Sequence, residues 1–161
     1  MGQYRISRDI EASIIDYIRN QLVGNWSNVA CEKTFSRIYN GDLPAICVRC
    51  GTTVHDRAEI GESSTIRTAN ILIDIFATDD GQRLDLKDFL IRKLKMGMPY
   101  YEYTISGGAV TDKTQNGRIR IMDISDEPID FDVPKDDLEV YDRYRHLLSL
   151  SVSLGRIETN E

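Results

Sequence analysis

The chain has 161 residues and a mass of 18.4 kDa, the size of about one domain. With 41% hydrophobic and 29% charged residues it can bury a core, which excludes an extended disordered polymer. Twenty basic against 26 acidic residues leave a net charge of −6, which argues against a generic nucleic-acid coating protein, and no stretch approaches the ~18 apolar residues of a membrane span.

The first element is an amphipathic helix over about Arg8 to Val23. Ile10, Ile14, Ile18 and Leu22 recur every fourth residue with Ile15 beside them, so one helical stripe is apolar. Ser7 or Asp9 can cap its start, and Gly24 supplies the left-handed residue that stops it. A loop around the only tryptophan, Trp26, leads to two short strands, Thr34–Tyr39 and Ala45–Cys50, joined by a hairpin turn at Asn40-Gly41-Asp42. Gly51 to Thr65 is polar and glycine-bearing, and reads as a long loop or as a strand pair projecting beyond the core.

Ile66–Thr78 has the pattern of a central strand, with Ile71, Ile73, Ile75 and Ala77 on one face and Leu72, Asp74 and Phe76 on the other. Apolar residues on both faces predict cover on both sides. Asp79 and Gln82 then have capping-box spacing ahead of a second helix carrying Leu86, Phe89, Leu90 and Leu94, which Gly97 and Pro99 end. Tyr100–Ser106 reads as a strand, Gly107-Gly108 through Asn116-Gly117 as a polar loop, and Arg118–Ile124 as another strand. Leu148, Leu150, Val152 and Leu154 alternate with Ser149, Ser151 and Ser153, which predicts a half-buried strand. The expected fold is α+β: a mixed, mainly antiparallel sheet flanked by two helices, in one domain over 1–161.

The polar N-terminus has no signal-peptide apolar core and misses the myristoylation pattern, because Ile6 stands where Ser or Thr is needed. Cys31, Cys47 and Cys50 are an odd number, as expected of reduced thiols in a cytoplasm, where the Asn25-Trp26-Ser27 sequon carries no meaning. Cys47-Val48-Arg49-Cys50 resembles half a zinc ribbon that Cys31 and His55 could complete, but there is no second such pair and the two cysteines lie three apart in a strand pattern. Asp74 with Asp85-Leu86-Lys87 faintly resembles a metal-nuclease carboxylate set, yet Asp85 and Lys87 fall in a helix. His55 and His146 lack any partner motif for nucleophilic or acid–base catalysis, and no phosphate-binding glycine loop precedes a helix. Neither catalysis nor a cofactor is expected.

Charge placement says more. Asp123 to Asp142 holds nine acids against one base, Lys135, so this window carries −8 and the rest of the chain +2. Within it, the stretch from Asp126 and Glu127 through Pro128 to Pro134 alternates its acids, Asp130 and Asp132 among them, with Ile129, Phe131 and Val133, as in an edge strand with an anionic face. Such a face is either a solvated edge kept from aggregating by its charge or a wall turned toward a partner or a DNA conduit.

An N-terminal amphipathic helix, the Leu43-Pro44-Ala45-Ile46-Cys47-Val48 strand, a polar excursion through Gly61, the Ile71–Phe76 strand, a helix with Leu84-Asp85-Leu86 and Leu90, and the terminal strand from Tyr144 to Gly155 follow one another. From about Ser7 to Arg156 this order resembles the tail terminator, or tail-completion, proteins of long-tailed bacteriophages. The resemblance implies a structural virion protein with mobile loops, made in the host cytoplasm and placed at the head-proximal end of the tail. Such a protein forms a hexameric ring, caps the tail tube protein and presents a docking surface to the head connector. It implies ring or tube contacts in the Gly51–Thr65 and Gly107–Gly117 segments, with Arg57, Glu59, Glu62, Gly107, Gly108 and Lys113 as contact residues. Asp126, Glu127, Asp130 and Asp132 would face a channel through which DNA passes without specific binding. A head-completion protein of the same neck is the neighbouring alternative, and a small nuclease or zinc module the enzymatic or metal-binding one.

Overall fold

The computed structural model describes residues 5–159. Its elements are α1 (Ile6–Leu22), β1 (Ala30–Glu32), α2 (Phe35–Tyr39), β2 (Ala45–Arg57), β3 (Thr65–Phe76), α3 (Asp80–Leu94), β4 (Met98–Ser106), β5 (Ala109–Pro128), β6 (Arg145–Ser153) and β7 (Ile157–Glu158), with a 3₁₀ turn at Lys135–Asp137. The strand order is β1-β2-β3-β6-β5-β4, with β7 pairing the start of β3. Only β1–β2 is parallel, so the α+β fold with a mixed, mainly antiparallel sheet is as the alternation of patterns predicts.

The core lies on one face of this sheet. Ile71, Ile73 and Ile75 of β3 and Leu148, Leu150 and Val152 of β6 are buried against the Ile10-Ile14-Ile18 stripe of α1 and Leu86, Leu90 and Leu94 of α3. Each such side chain contributes roughly 1.5–3 kcal/mol relative to exposure. The two helices sit side by side: Tyr17 Oη donates to the Lys93 carbonyl at 2.8 Å, and Trp26 meets Phe89 edge-on. The opposite face is covered at one end only, where Ile38 of α2 packs with Ala45, Cys47 and Phe76. Cover on both faces of β3 is therefore complete on one side and local on the other. At that end Asp74, 1% exposed, is held between Arg49 at 3.2 Å and Arg145 at 2.9 Å, so its buried charge is paired.

Several boundaries differ from the pattern-based expectation. Thr34–Tyr39 contains a helix, not a strand: Phe35, Ile38 and Tyr39 share one helical face, and both aromatics meet Phe76 edge-on at 6.1 and 6.0 Å. Asn40-Gly41-Asp42 consequently follows a helix end rather than closing a hairpin, and the strand beside β2 is Ala30–Glu32. α1 begins at Ile6, which is buried, with no side-chain cap. Ser7 Oγ accepts from Arg67 at 2.6 Å instead, and Asp9 turns inward. Gly24 ends the helix at φ +80° as expected. Asp79 caps α3 by accepting the Gln82 N–H at 2.8 Å, while Gln82 reaches back to the Thr78 N–H at 2.8 Å, one residue earlier than a capping box requires. Gly97, at φ +75°, admits no side chain, since a Cβ would stand 2.6 Å from the Ile119 carbonyl oxygen.

Of the two readings of Gly51–Thr65 the strand pair holds, and the Gly107–Gly117 segment is a hairpin arm rather than the expected loop. Gly51–Arg57 continues β2, pairing through Arg57↔Thr65, so only residues 58–64 form a turn. Gly107 and Gly108, at φ +59° and +79°, make a two-residue turn between Ser106 and Ala109. Positive φ at both centres matches the strand twist. β5 then runs 20 residues, with Gly117 at φ +108° in a bulge opposite Pro99 to Tyr101.

Candidate assembly surfaces

β5 changes partner along its length: Ala109–Ile119 pairs with β4 and Arg120–Pro128 with β6. Residues 109–118 are exposed throughout, as are most positions from Gly51 to Glu62. The first arm leaves the helix-covered part of the sheet, while the second turns its β5 strand to water and keeps its β4 strand against α1. The first ends in Arg57, whose guanidinium donates to the Glu62 carbonyl, with Glu59 and Glu62 in the turn and Ile60 fully exposed at its tip. The second ends in Gly107-Gly108 and carries Lys113, whose ammonium lies 4.7 Å from the centre of the Tyr101 ring. Among the described residues no hydrogen bond or ion pair joins one turn to the other, so the predicted contact residues form two separate groups.

The expected acidic edge strand is shorter than its pattern. β5 ends at Pro128, and residues 129–134 leave the sheet through a turn in which Asp132, at φ +60°, donates its N–H to Asp130 Oδ1 at 2.8 Å. Arg120–Pro128 pairs with β6 on one side only, so an edge is present there. Not all its acids are free. Asp126 Oδ1 lies 2.7 Å from His146 Nε2 and 3.6 Å from Lys87 Nζ, and Asp142 is bound by Arg145 and Tyr39. Among the described residues Asp123, Glu127, Asp130, Asp132, Asp136, Asp137 and Glu139 form no ion pair. Asp126 is therefore separated from Glu127, Asp130 and Asp132, with which its spacing groups it.

His146 is buried, and both ring nitrogens are engaged: Arg83 donates to Nδ1 at 2.7 Å, which puts the proton on Nε2, facing Asp126. Burial holds the imidazole below its usual pKa, against the raising influence of Asp126, and the charges of Arg83 and Lys87 act in the same direction as burial. The hydrogen bond from His146 lowers the Asp126 carboxyl. A histidine with both nitrogens occupied is placed to tie β6 and β5 to α3. His55 stands apart on the first arm, 3.4 Å from Thr53.

Burial pushes the Cys31 thiol up to about 12 and Cys47 up to about 11, which disfavours the thiolates that bind metal. Among the described residues no three Cys, His, Asp or Glu side chains are grouped closely enough to hold a metal ion. Asp85 lies on α3 rather than beside Asp74 on β3.

The sequence reading misses a groove of about 460 Å³ between the outer face of α1, the α2 end of the chain and the second arm. α1 closes the free edge of β4 here: Ser13 Oγ accepts the Tyr101 N–H at 2.9 Å, Asp9 accepts from the Tyr103 backbone, and Tyr103 Oη donates to Asp16 at 2.6 Å. Its residues come from four distant segments, so no local motif marks it. No family model matches the sequence, and no curated protein matches it.

Proposed function

We propose that this protein is a non-enzymatic structural subunit of a long-tailed phage virion: the tail terminator that caps the tail tube and offers a docking surface to the head connector. The observation that carries this reading is the pair of arms. A two-stranded hairpin gains little stability from a strand that buries no side chain. Here Ala109–Arg118 is exposed along its whole length while the sheet below it is well packed. Surface of that kind is matched to a partner, and copies that meet head to tail close into a ring. The free acids Glu127, Asp130 and Asp132 then border the axial hole, where like charge keeps DNA phosphates moving.

The reading is tested by adding the purified protein to polymerising tail tube protein and measuring tube lengths by electron microscopy. A terminator gives short tubes of uniform length with extra density at one end, and removing its gene gives overlong tails. Normal-length tails that fail to join heads would instead assign it to head completion.

A further inference from the structure

The groove on α1 holds four acids, and each is already engaged within the chain. Glu32 pairs with Arg19 and Arg37, Asp16 accepts from Tyr103, Glu11 accepts the Cys50 N–H, and Asp9 is buried against the Tyr103 backbone. Three of its bases are not: among the described residues Arg8, Lys33 and Lys113 have no carboxylate within ion-pair distance. All three are exposed, around an apolar floor of Ala12, Ile15, Ile105 and Val110. The groove therefore sets three exposed cations without an ion-pair partner around an apolar base, while Asp9, Glu11 and Asp16, less exposed and bonded only to uncharged donors, keep their negative charge.

Its complement lies elsewhere on the same chain. Asp136, Asp137 and Glu139 are exposed and form no ion pair among the described residues, and Val140 beside them is half exposed. This short knob is held at both ends. Lys135 pairs with Asp80 of α3 at 3.6 Å and lies over the Tyr144 ring; Tyr141 Oη donates to the Gly41 carbonyl at 3.1 Å; Arg143 donates to the Leu138 carbonyl at 3.1 Å. A loop already fixed in shape loses little freedom on binding. Within one chain no hydrogen bond or ion pair among the described residues joins knob to groove.

We propose that the Asp136–Val140 knob of one copy docks in the α1 groove of the next. Its three acids meet Arg8, Lys33 and Lys113, and Val140 meets the apolar floor. The contact is heterologous, so a chain of such contacts closes into a ring when the rotation permits. This inference rests on the self-association contained in the reading above, but not on tube capping.

The test uses sedimentation velocity on the full chain at low and high salt, with and without tail tubes. The groove variant combines Arg8→Glu, Lys33→Glu and Lys113→Glu; the knob variant combines Asp136→Lys, Asp137→Lys and Glu139→Lys. All six sites are exposed, and circular dichroism checks that the fold is kept. Wild type associates more weakly as salt rises, each variant alone loses about a hundredfold or more in association, and mixing the two variants restores it. Rings that ignore both sets of reversals overturn the docking and leave capping standing. Reciprocal rescue in a protein that does not limit tube length does the opposite. A wild type that stays monomeric even with tubes present, or a groove that takes a different acidic partner, overturns the docking.

Discussion

His146 illustrates how a residue with little meaning in the sequence acquires a definite role from its neighbours. In the string Tyr144-Arg145-His146 it is one polar residue before an alternating strand. In the fold it receives a proton donor from α3 on one side and offers its own proton to β5 on the other. Its folded-state pKa lies below the ordinary 6.5, so the unfolded chain takes up a proton first as the pH falls. Stability therefore declines from about 6.5 down through the folded value and levels off beneath it. Asp126, also lowered, adds a second decline below 3.8. An NMR titration should place His146 below 6.5, and Asp126→Asn should move it lower still, because the carboxylate that favours the charged ring is gone. Titration at or above 6.5 would remove this account.

At the scale of elements, the arms carry the argument. The turn at residues 58–64 lies outside the core, and Ala58 donates its N–H to the Ser64 carbonyl across it. Replacing this turn by a two-residue Asn-Gly link should change unfolding free energy by no more than about 0.5 kcal/mol, as for other exposed sites. The same change should abolish tail joining, scored as infectious particles from a complemented phage. Normal assembly would show that the first arm makes no essential contact. The arms also explain why period-2 reading fails there. A strand with both faces in water has no hydrophobic alternation to read, so Thr111, Asp112, Thr114 and Gln115 resemble loop sequence.

For the whole molecule, the relevant quantity is where unbalanced charge lies. Seven free acids gather between Asp123 and Glu139, while three free bases lie in the groove on α1. In the proposed ring, pairing the 136–139 acids with a neighbour would leave Asp123, Glu127, Asp130 and Asp132 unpaired, the last three as the acids proposed to face the channel. Reversing Asp130 and Asp132 to lysine should slow DNA ejection without altering ring formation, measured by dye release from single virions. Unchanged ejection kinetics would show that these acids do not border the path of the DNA.

The amphipathic stripe of α1, the Ile71-Ile73-Ile75 face of β3, the cap and the apolar stripe of α3 and the alternation of β6 were all legible in one dimension. Each depends on a period set by backbone geometry and on burial that a neighbour of either kind would satisfy. Hence the α+β class and the mainly antiparallel sheet follow from the order of those patterns. What the tertiary structure decided is what depends on a distant partner. Phe35, Ile38 and Tyr39 become helical because Phe76 offers an aromatic surface at the far end of β3. β5 extends to 20 residues because β4 and β6 receive its two halves. Asp126 is neutralised by α3 and β6 while Glu127 beside it is not, and the groove exists only once α1 lies along the edge of β4. Local periodicity constrains which face of an element is dry; it carries no information about which remote charge or ring will meet the other face.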